Sequence, residues 1–293
     1  MHEMLRRYGS TLTGTMVAMT GFWLLALVIV PNLVLLEFSF KPYLPVDQVG
    51  GPLDVYSLKN YMRFFTSIIH IQIFFLTVFY SSVVTLLCLV MSYPLAFYLA
   101  KVVKLTNAPM LFLLLLIPLW VSEILRSFSW FIILSYKGPL NAVWHEFLGF
   151  DAIRWISGFN GVIIGLVYTY VLFMLFPIYN AITSLDSNQI EASQDLGSPL
   201  WRTHWRVVIP HSKPGIASGC VMVFMLSAGS IIVPSTLASP GSRWFTEIIQ
   251  QWMFEGLDWN VGSAYAFLLL LLCTLFVSLV MRLLNVRLVD IAK

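Results

Sequence analysis

The chain alternates long charge-free apolar stretches with short segments that hold nearly all of its charge. Runs without Asp, Glu, Lys or Arg cover 8–36, 64–100, 105–122, 155–185, 214–242 and 259–281, which is 29, 37, 18, 31, 29 and 23 residues. A spanning helix needs about 20 predominantly apolar residues. The pattern therefore predicts six spans, near 12–36, 68–100, 106–134, 158–183, 214–236 and 259–282. The third run is short but resumes over 128–134, beyond Glu123 and Arg126. The first is longer than the signal-peptide core of about 7–15 residues, and no small-residue cleavage site follows it. It reads as a retained first helix.

Composition removes the soluble alternative. Of the 293 residues, 59% are hydrophobic and 11% charged, against roughly 45–50% and about 25% in soluble chains. Mean hydropathy is +0.84. A soluble fold could not cover its surface with so few charges, so lipid is the solvent for most of the chain. The predicted class is an all-α membrane protein, a single transmembrane domain over 1–293. Disorder and collagen-like repeats are excluded by the same figures.

Charge sets orientation. Lys and Arg number 17, Asp and Glu 14, a net of +3, and no basic stripe suggests nucleic acid. With the N-terminus cytoplasmic, ten of the basic residues fall on cytoplasmic segments and six outside, with Arg126 inside a span. Cytoplasmic loops favour Lys and Arg, so both termini are expected inside. The turn Lys101-Val102-Val103-Lys104 is short and basic, which fits. The external loops carry eight acids, among them Glu37, Asp47, Asp54, Glu247 and Asp258. They read as a solvated surface, or as a field that gathers a cation. Cys88, Cys220 and Cys273 lie in apolar runs without metal-ligand spacing and read as buried small hydrophobes.

Prolines 31, 94, 118, 177 and 234 fall inside spans. Membrane helices tolerate them where neighbours satisfy the freed backbone groups. Glycine pairs four residues apart, Gly161 with Gly165 and Gly215 with Gly219, permit close helix packing.

The one sizeable cytoplasmic loop, 184–213, predicts two short helices. Asn188 is placed to cap the first, with Glu191 closing a capping box, and Gly197 to stop it. Ser198 and Pro199 open the second, and Pro210 ends it. Such a hairpin buries no core alone, so it must dock on a membrane surface or a protein. Ile190, Leu196, Leu200, Trp201, Trp205 and Val207 supply apolar contacts.

Within this loop, Glu191-Ala192-Ser193, Gly197 and Val207-Val208-Ile209-Pro210 resemble the EAA motif of bacterial ABC importer permeases. Ser193, Val207 and Ile209 depart from it by small steps. The segments Leu58-Lys59-Asn60-Tyr61, Tyr93-Pro94-Leu95-Ala96, Pro118-Leu119-Trp120-Val121-Ser122 with Arg126 and Trp130, and Gly138-Pro139-Leu140-Asn141 are similar to the spermidine/putrescine (polyamine-type) subfamily. Asp258-Trp259 with Ser263-Ala264 resembles the start of its last span.

The resemblance implies the type I ABC importer permease fold in a bacterial inner membrane, with a second permease subunit, a heterodimer being favoured. It also implies two ATPase subunits and a periplasmic substrate-binding protein. Glu191, Ala192, Ser193, Gly197 and Pro210 would form the ATPase-coupling contact. No Gly-x-x-x-x-Gly-Lys-[Ser/Thr] loop occurs in the chain. No cofactor is expected on it, ATP and Mg being bound by the partner ATPase.

Glu123 and Arg126, at i and i+3, share a helix face. Each charge costs about 2.5–3.5 kcal/mol near the bilayer centre. The apolar run 111–117 returns roughly 0.3–0.6 kcal/mol per Leu, Ile or Phe, which offsets about one charge. The pair is expected to face the bundle interior or sit near the outer mouth. It is either a substrate-path site, where a carboxylate attracts an amine, or a structural ion pair. Trp120, Trp130, Tyr136 and Ser230 are further path candidates, and Tyr168 and Tyr170 offer ring faces. Polyamine-type members resemble one another in an acid near the Ser230 position, and its absence here weakens the case for a polycation.

The expected function is thus the permease of a binding-protein-dependent importer for a polyamine-like cation. The alternatives are another solute (an opine, an amino-acid-derived compound or a phosphonate) or, in other classes, a secondary carrier or channel or a membrane enzyme. His145-Glu146 begins an HExxH look-alike that fails at Gly149.

Overall fold

The structure, a computed structural model, describes residues 2–45, 48, 50–103, 108–149, 151, 153–239 and 241–286. Lys104, Asp47, Arg287, Lys293 and the expected start of the third span at 106 lie outside the described residues. The described elements are helical. They are α1 (His2–Leu24), α2 (Val30–Phe40), α3 (Lys59–Thr66), α4 (Ile68–Phe97), α5 (Ala108–Trp120), α6 (Glu123–Leu134) and α7 (Pro139–Leu148). Then follow α8 (Asn160–Thr183), α9 (Ser187–Asp195), α10 (Leu200–Thr203), α11 (Ile209–Ala228), α12 (Ile232–Leu237), α13 (Phe245–Gln250) and α14 (Trp259–Leu284).

Five helical stretches are long and apolar enough to cross a membrane: Thr11–Phe40, Ile68–Val102, Asn160–Thr183, Leu200–Ala228 and Trp259–Leu284. A sixth arises if Leu113–Trp120 and Glu123–Glu146, bent 93° at a short break, count together. The sequence predicts one third span over 106–134 with Pro118 inside it, and the structure breaks that span. Pro118 sits inside α5, and Ser122 is extended with ψ 138°. Glu123 then occupies the first turn of α6, where the helix dipole favours an acid.

A second departure concerns Pro210. The chain runs as one helix from Leu200 to Ala228, so this proline does not end it. A π turn, His204–Val208, precedes it. The same arrangement recurs at Pro31, which follows the π turn Leu25–Ile29. A proline lacks the N–H and crowds the carbonyl four residues earlier. Those carbonyls belong to Arg206 and Leu27, both within the π turns, where the widened backbone removes the conflict.

The described chain divides into two compact units. The first comprises 1–68 and 249–268. Here the C-terminal carbonyls of α2, which have no partner within the helix, are gripped by two asparagines. Asn60 Nδ2 donates to Ser39 O (3.1 Å) and Lys41 O (2.8 Å). Asn260 Nδ2 donates to Phe38 O (3.1 Å) and Lys41 O (2.9 Å). Lys41 Nζ meets Glu37 at 2.8 Å and Asp54 at 3.6 Å, and Arg63 meets Asp258 at 3.7 Å. Three of the expected external acids are therefore already paired. Glu247, in the other unit, accepts from Trp244 N at 3.1 Å. These four hold structure together rather than gather a free cation.

The second unit comprises 69–248 and 269–293 and holds the main core. Its centre is α8, with Leu166, Met174, Leu175, Ile178 and Ile182 fully buried. Val84 and Cys88 of α4, Val223 of α11, and Val233 and Leu237 of α12 close around it. Lipid gives little apolar driving force between helices, so close packing must hold them. The glycine pairs supply it. A Cβ on Gly215 would lie 2.5 Å from Pro177 O and 2.6 Å from Ala181 Cβ. One on Gly165 would clash with Leu237 Cδ1. Gly215→Ala is accordingly expected to cost about 1–3 kcal/mol through overpacking, read as a lower thermal midpoint of the chain purified in mild detergent.

Candidate functional site

Two places gather the candidate residues, both in the second unit. The first is the hairpin α9–α10. The helix cap differs from the sequence expectation. Asp186, not Asn188, is the N-cap, and its Oδ1 accepts from Asn188 N at 3.0 Å. The capping box with Glu191 does not form. Pro199 rather than Ser198 precedes the second helix, its extended ψ of 152° leaving its carbonyl to accept from Arg202 N and Thr203 N. Gly197 behaves as expected, with φ 76° in the left-handed region. Gly197 N donates to Gln194 O at 2.8 Å and Ser198 N to Ser193 O at 3.1 Å, the paired bonds of a Schellman stop.

The hairpin turns its chemistry outward. Glu191, Ala192, Gly197 and Pro210 are exposed. Glu191 makes no hydrogen bond or ion pair among the described residues. Ser193 is half-buried, its Oγ 3.1 Å from Thr203 Oγ1, which ties the two arms together. Leu196 is 89% exposed, with Leu200, Trp201 and Trp205 beside it in sequence and also exposed. Ile190 and Val207 instead pack against the core. A short hairpin that presents four large apolar side chains around a free carboxylate has the character of a docking surface.

The second place surrounds the Tyr170 hydroxyl, ten residues into the 24-residue α8. Tyr170 Oη donates to Glu123 Oε1 at 3.1 Å. Ser230, whose Oγ is buried without a hydrogen-bond partner among the described residues, and the Arg126 guanidinium both lie near enough to act on the same phenol electrostatically. Glu123 and Arg126 are half-buried and form no ion pair with each other. The structural ion pair considered from sequence is thus not made. Arg126 Nε is buried without a hydrogen-bond partner among the described residues. Ser230 is buried in the bend between α11 and α12, where its carbonyl accepts from Thr246 Oγ1.

The other path candidates fall outside this cluster. Trp130 packs edge-on against Tyr168 at 5.3 Å between centroids. Trp120 is 89% exposed and Tyr136 is exposed too, so neither lines the interior of this chain. Tyr170, by contrast, is the hub, and the sequence named it only among several aromatic rings. Nothing in its spacing distinguishes it from a packed tyrosine.

A groove of about 660 Å³ lies alongside the close contact of α8 and α11. Its α8 wall is Phe173, Phe176, Pro177, Asn180, Ala181 and Ser184, one helix face that Tyr170 extends by a turn. Its α11 wall runs from His211 through Gly215 and Ser218 to Met222. At one end Ser184 Oγ and His211 Nε2 lie 3.1 Å apart. The groove thus reaches the hairpin end of the unit, and its other end, at Phe173 and Met222, stops short of the polar cluster.

Helices long and apolar enough to span a membrane, a half-buried polar cluster, a side groove and an exposed apolar hairpin are consistent with a membrane permease. The chain belongs to the family described as binding-protein-dependent transport system inner membrane component, which matches residues 5–290. It is 32% identical over 275 residues to the spermidine/putrescine transport system permease protein PotB of Salmonella typhimurium strain SL1344, covering 92% of this chain and 94% of that one. It is 30% identical over 267 residues to PotB of Haemophilus influenzae, covering 91% and 92%. A bacterial alginate ABC transporter, solved in complex with its alginate pentasaccharide-bound periplasmic protein, has the same fold. The TM-score is 0.74 at 18% identity, with 98% of this chain and 99% of that chain covered.

The chain is therefore a multi-pass inner-membrane permease subunit of a binding-protein-dependent ABC importer. It is a transport component and not an enzyme. ATP and its magnesium belong to the partner ATPase, and catalysis of hydrolysis with them.

Proposed function

We propose that this permease passes a small, polyamine-like organic cation, and that the solute moves past Glu123, Tyr170 and Ser230 and along the α8–α11 groove. The observation that carries this reading is the Glu123 carboxylate, held by Tyr170 near the middle of α8. The subfamily resemblance implies an acid near the Ser230 position. Glu123 supplies one from a different helix, hydrogen-bonded to the Tyr170 hydroxyl. The names of the curated relatives support the amine class. A half-buried carboxylate that forms no ion pair among the described residues attracts a cation, with the nearby Arg126 charge opposing it.

The hairpin α9–α10 is proposed as the contact with the ATPase, through Glu191, Ala192, Ser193 and Gly197, with Pro210 at its exit. This places both termini in the cytoplasm, as the basic bias supports. The pore is proposed to be shared with a second, different permease chain, the pairing that the subfamily resemblance favours. Trp120, Trp130 and Tyr136 would belong to the path only through that partner.

A mild-detergent pull-down of the tagged chain, with mass spectrometry, tests the assembly. The expected companions are an ATPase, a binding protein and a distinct permease. Recovery of this chain alone, or as a homo-oligomer without an ATPase, would overturn it. The purified complex in proteoliposomes is then expected to import labelled spermidine or putrescine, each in competition with an excess of the other. Saturable import of an anionic solute only would exclude the cation.

A further inference from the structure

The hairpin is joined covalently to α8 on one side and, through α10 and the π turn, to α11 on the other. Those two helices move with it by chain connectivity alone. The core contains a third long helix, α4, which has no such connection. Yet α4 and its continuation grip both ends of the hairpin. Lys101 Nζ, in the π turn Tyr98–Val102 that extends α4, donates to Leu185 O, one residue before the N-cap of α9. Leu185 is itself buried. Two turns earlier on α4, Tyr93 Oη shares a hydrogen bond of 2.8 Å with His204 Nδ1. The Phe97 ring packs edge-on against the same imidazole at 4.4 Å between centroids.

His204 is the first residue of the π turn that ends the hairpin, so the clamp sits where the helix departs from regular geometry. The segment 187–203 projects beyond these two fixed points, and Ser193–Thr203 ties its arms. A displacement applied to α9 therefore reaches His204 with little slack. From there the Tyr93 bond and the Phe97 contact are the described side-chain route into α4. Energetic coupling of this kind is carried by hydrogen bonds and packed rings between rigid elements.

We propose that Tyr93 and His204 are positioning residues that transmit movement of the hairpin to α4, so that this helix is driven in step with the ATPase cycle. The proposal rests on the reading of the hairpin as the ATPase contact.

The test uses the complete importer in proteoliposomes with its loaded binding protein. Three quantities are read: ATPase co-purified per permease, ATP hydrolysed, and solute imported per ATP. Tyr93→Phe removes one hydroxyl and nothing else. His204→Phe removes the partner and keeps a ring. His204→Gln restores a group able to exchange a hydrogen bond with the phenol. Tyr93→Phe and His204→Phe are expected to retain the ATPase and to hydrolyse ATP within about twofold of the parent. Solute imported per ATP should fall about fivefold or more, the lower range of site-to-site coupling. His204→Gln should recover most of that ratio.

An unchanged ratio in Tyr93→Phe overturns the proposal. So does a parallel loss of hydrolysis, import and thermal stability, which marks a merely structural contact. The underlying reading fails separately, if disruption of α9 itself leaves the ATPase bound at full stoichiometry.

Discussion

Replacing Gly197 by valine is expected to strip the ATPase from the purified complex and to lower solute uptake about tenfold or more, the equivalent of about 1.4 kcal/mol of lost docking. The reason lies in the backbone. Gly197 holds φ at 76°, a region that a β-branched residue reaches only as an outlier. Nothing lies within 4 Å of a Cβ placed there, so the substitution meets no steric clash. Its effect is confined to the turn that ends α9 and to the Schellman bonds from Gly197 N and Ser198 N. The transmembrane core, centred on α8, is untouched, and the variant should purify as a folded chain with an unaltered thermal midpoint. Gly197→Asn, which tolerates the left-handed region better, should keep much of the activity. Glu191→Ala should add to the defect, because this carboxylate is exposed and makes no described bond within its own chain. ATPase bound at full stoichiometry to the Gly197→Val, Glu191→Ala double variant would show that the hairpin is not the docking contact.

The elements that could be read from the sequence are those fixed by local chemistry. Six apolar runs predict the crossings because lipid demands length and apolarity and little else. Gly197 announces its turn because only the backbone there is at issue. The Gly215 and Gly219 pair points to a close approach, and the structure places Pro177, Ala181 and Met174 against it. What stayed hidden depends on neighbours. The break at Val121–Ser122 follows from a balance between a proline, an acid and packing, which no periodicity encodes. Pro210 reads as a stop from sequence, since the π turn that accommodates it leaves no compositional trace. Asp186 outcompetes Asn188 as the cap by a shift of two residues, within the usual uncertainty of helix ends. Tyr170 is the clearest case. As a sequence position it is one aromatic among many, and only the folded chain brings Glu123, from 47 residues away, to its hydroxyl.

That hydroxyl also makes the charge on Glu123 separable from its packing. Glu123→Gln keeps the shape of the side chain and leaves an amide oxygen to accept from Tyr170 Oη, while removing the negative charge. An amide costs less to take out of water than a carboxylate, so the neutral variant should fold at least as stably as the parent. If the carboxylate attracts the ammonium of the solute, import of a labelled polyamine should fall about tenfold at low solute concentration. Part of the loss should be recovered as the loaded binding protein is raised. Tyr170→Phe makes the opposite separation. It retains the charge and leaves the half-buried Glu123 without its donor, at a cost of about 1 kcal/mol for the lost hydrogen bond. It should lower the thermal midpoint and reduce import less than Glu123→Gln does. The order of the two effects is the discriminating result. Import that survives Glu123→Gln and fails with Tyr170→Phe would reduce the cluster to a helix-packing device. The reverse order ties transport to the charge itself, because the glutamine retains every contact except the one a cation would seek.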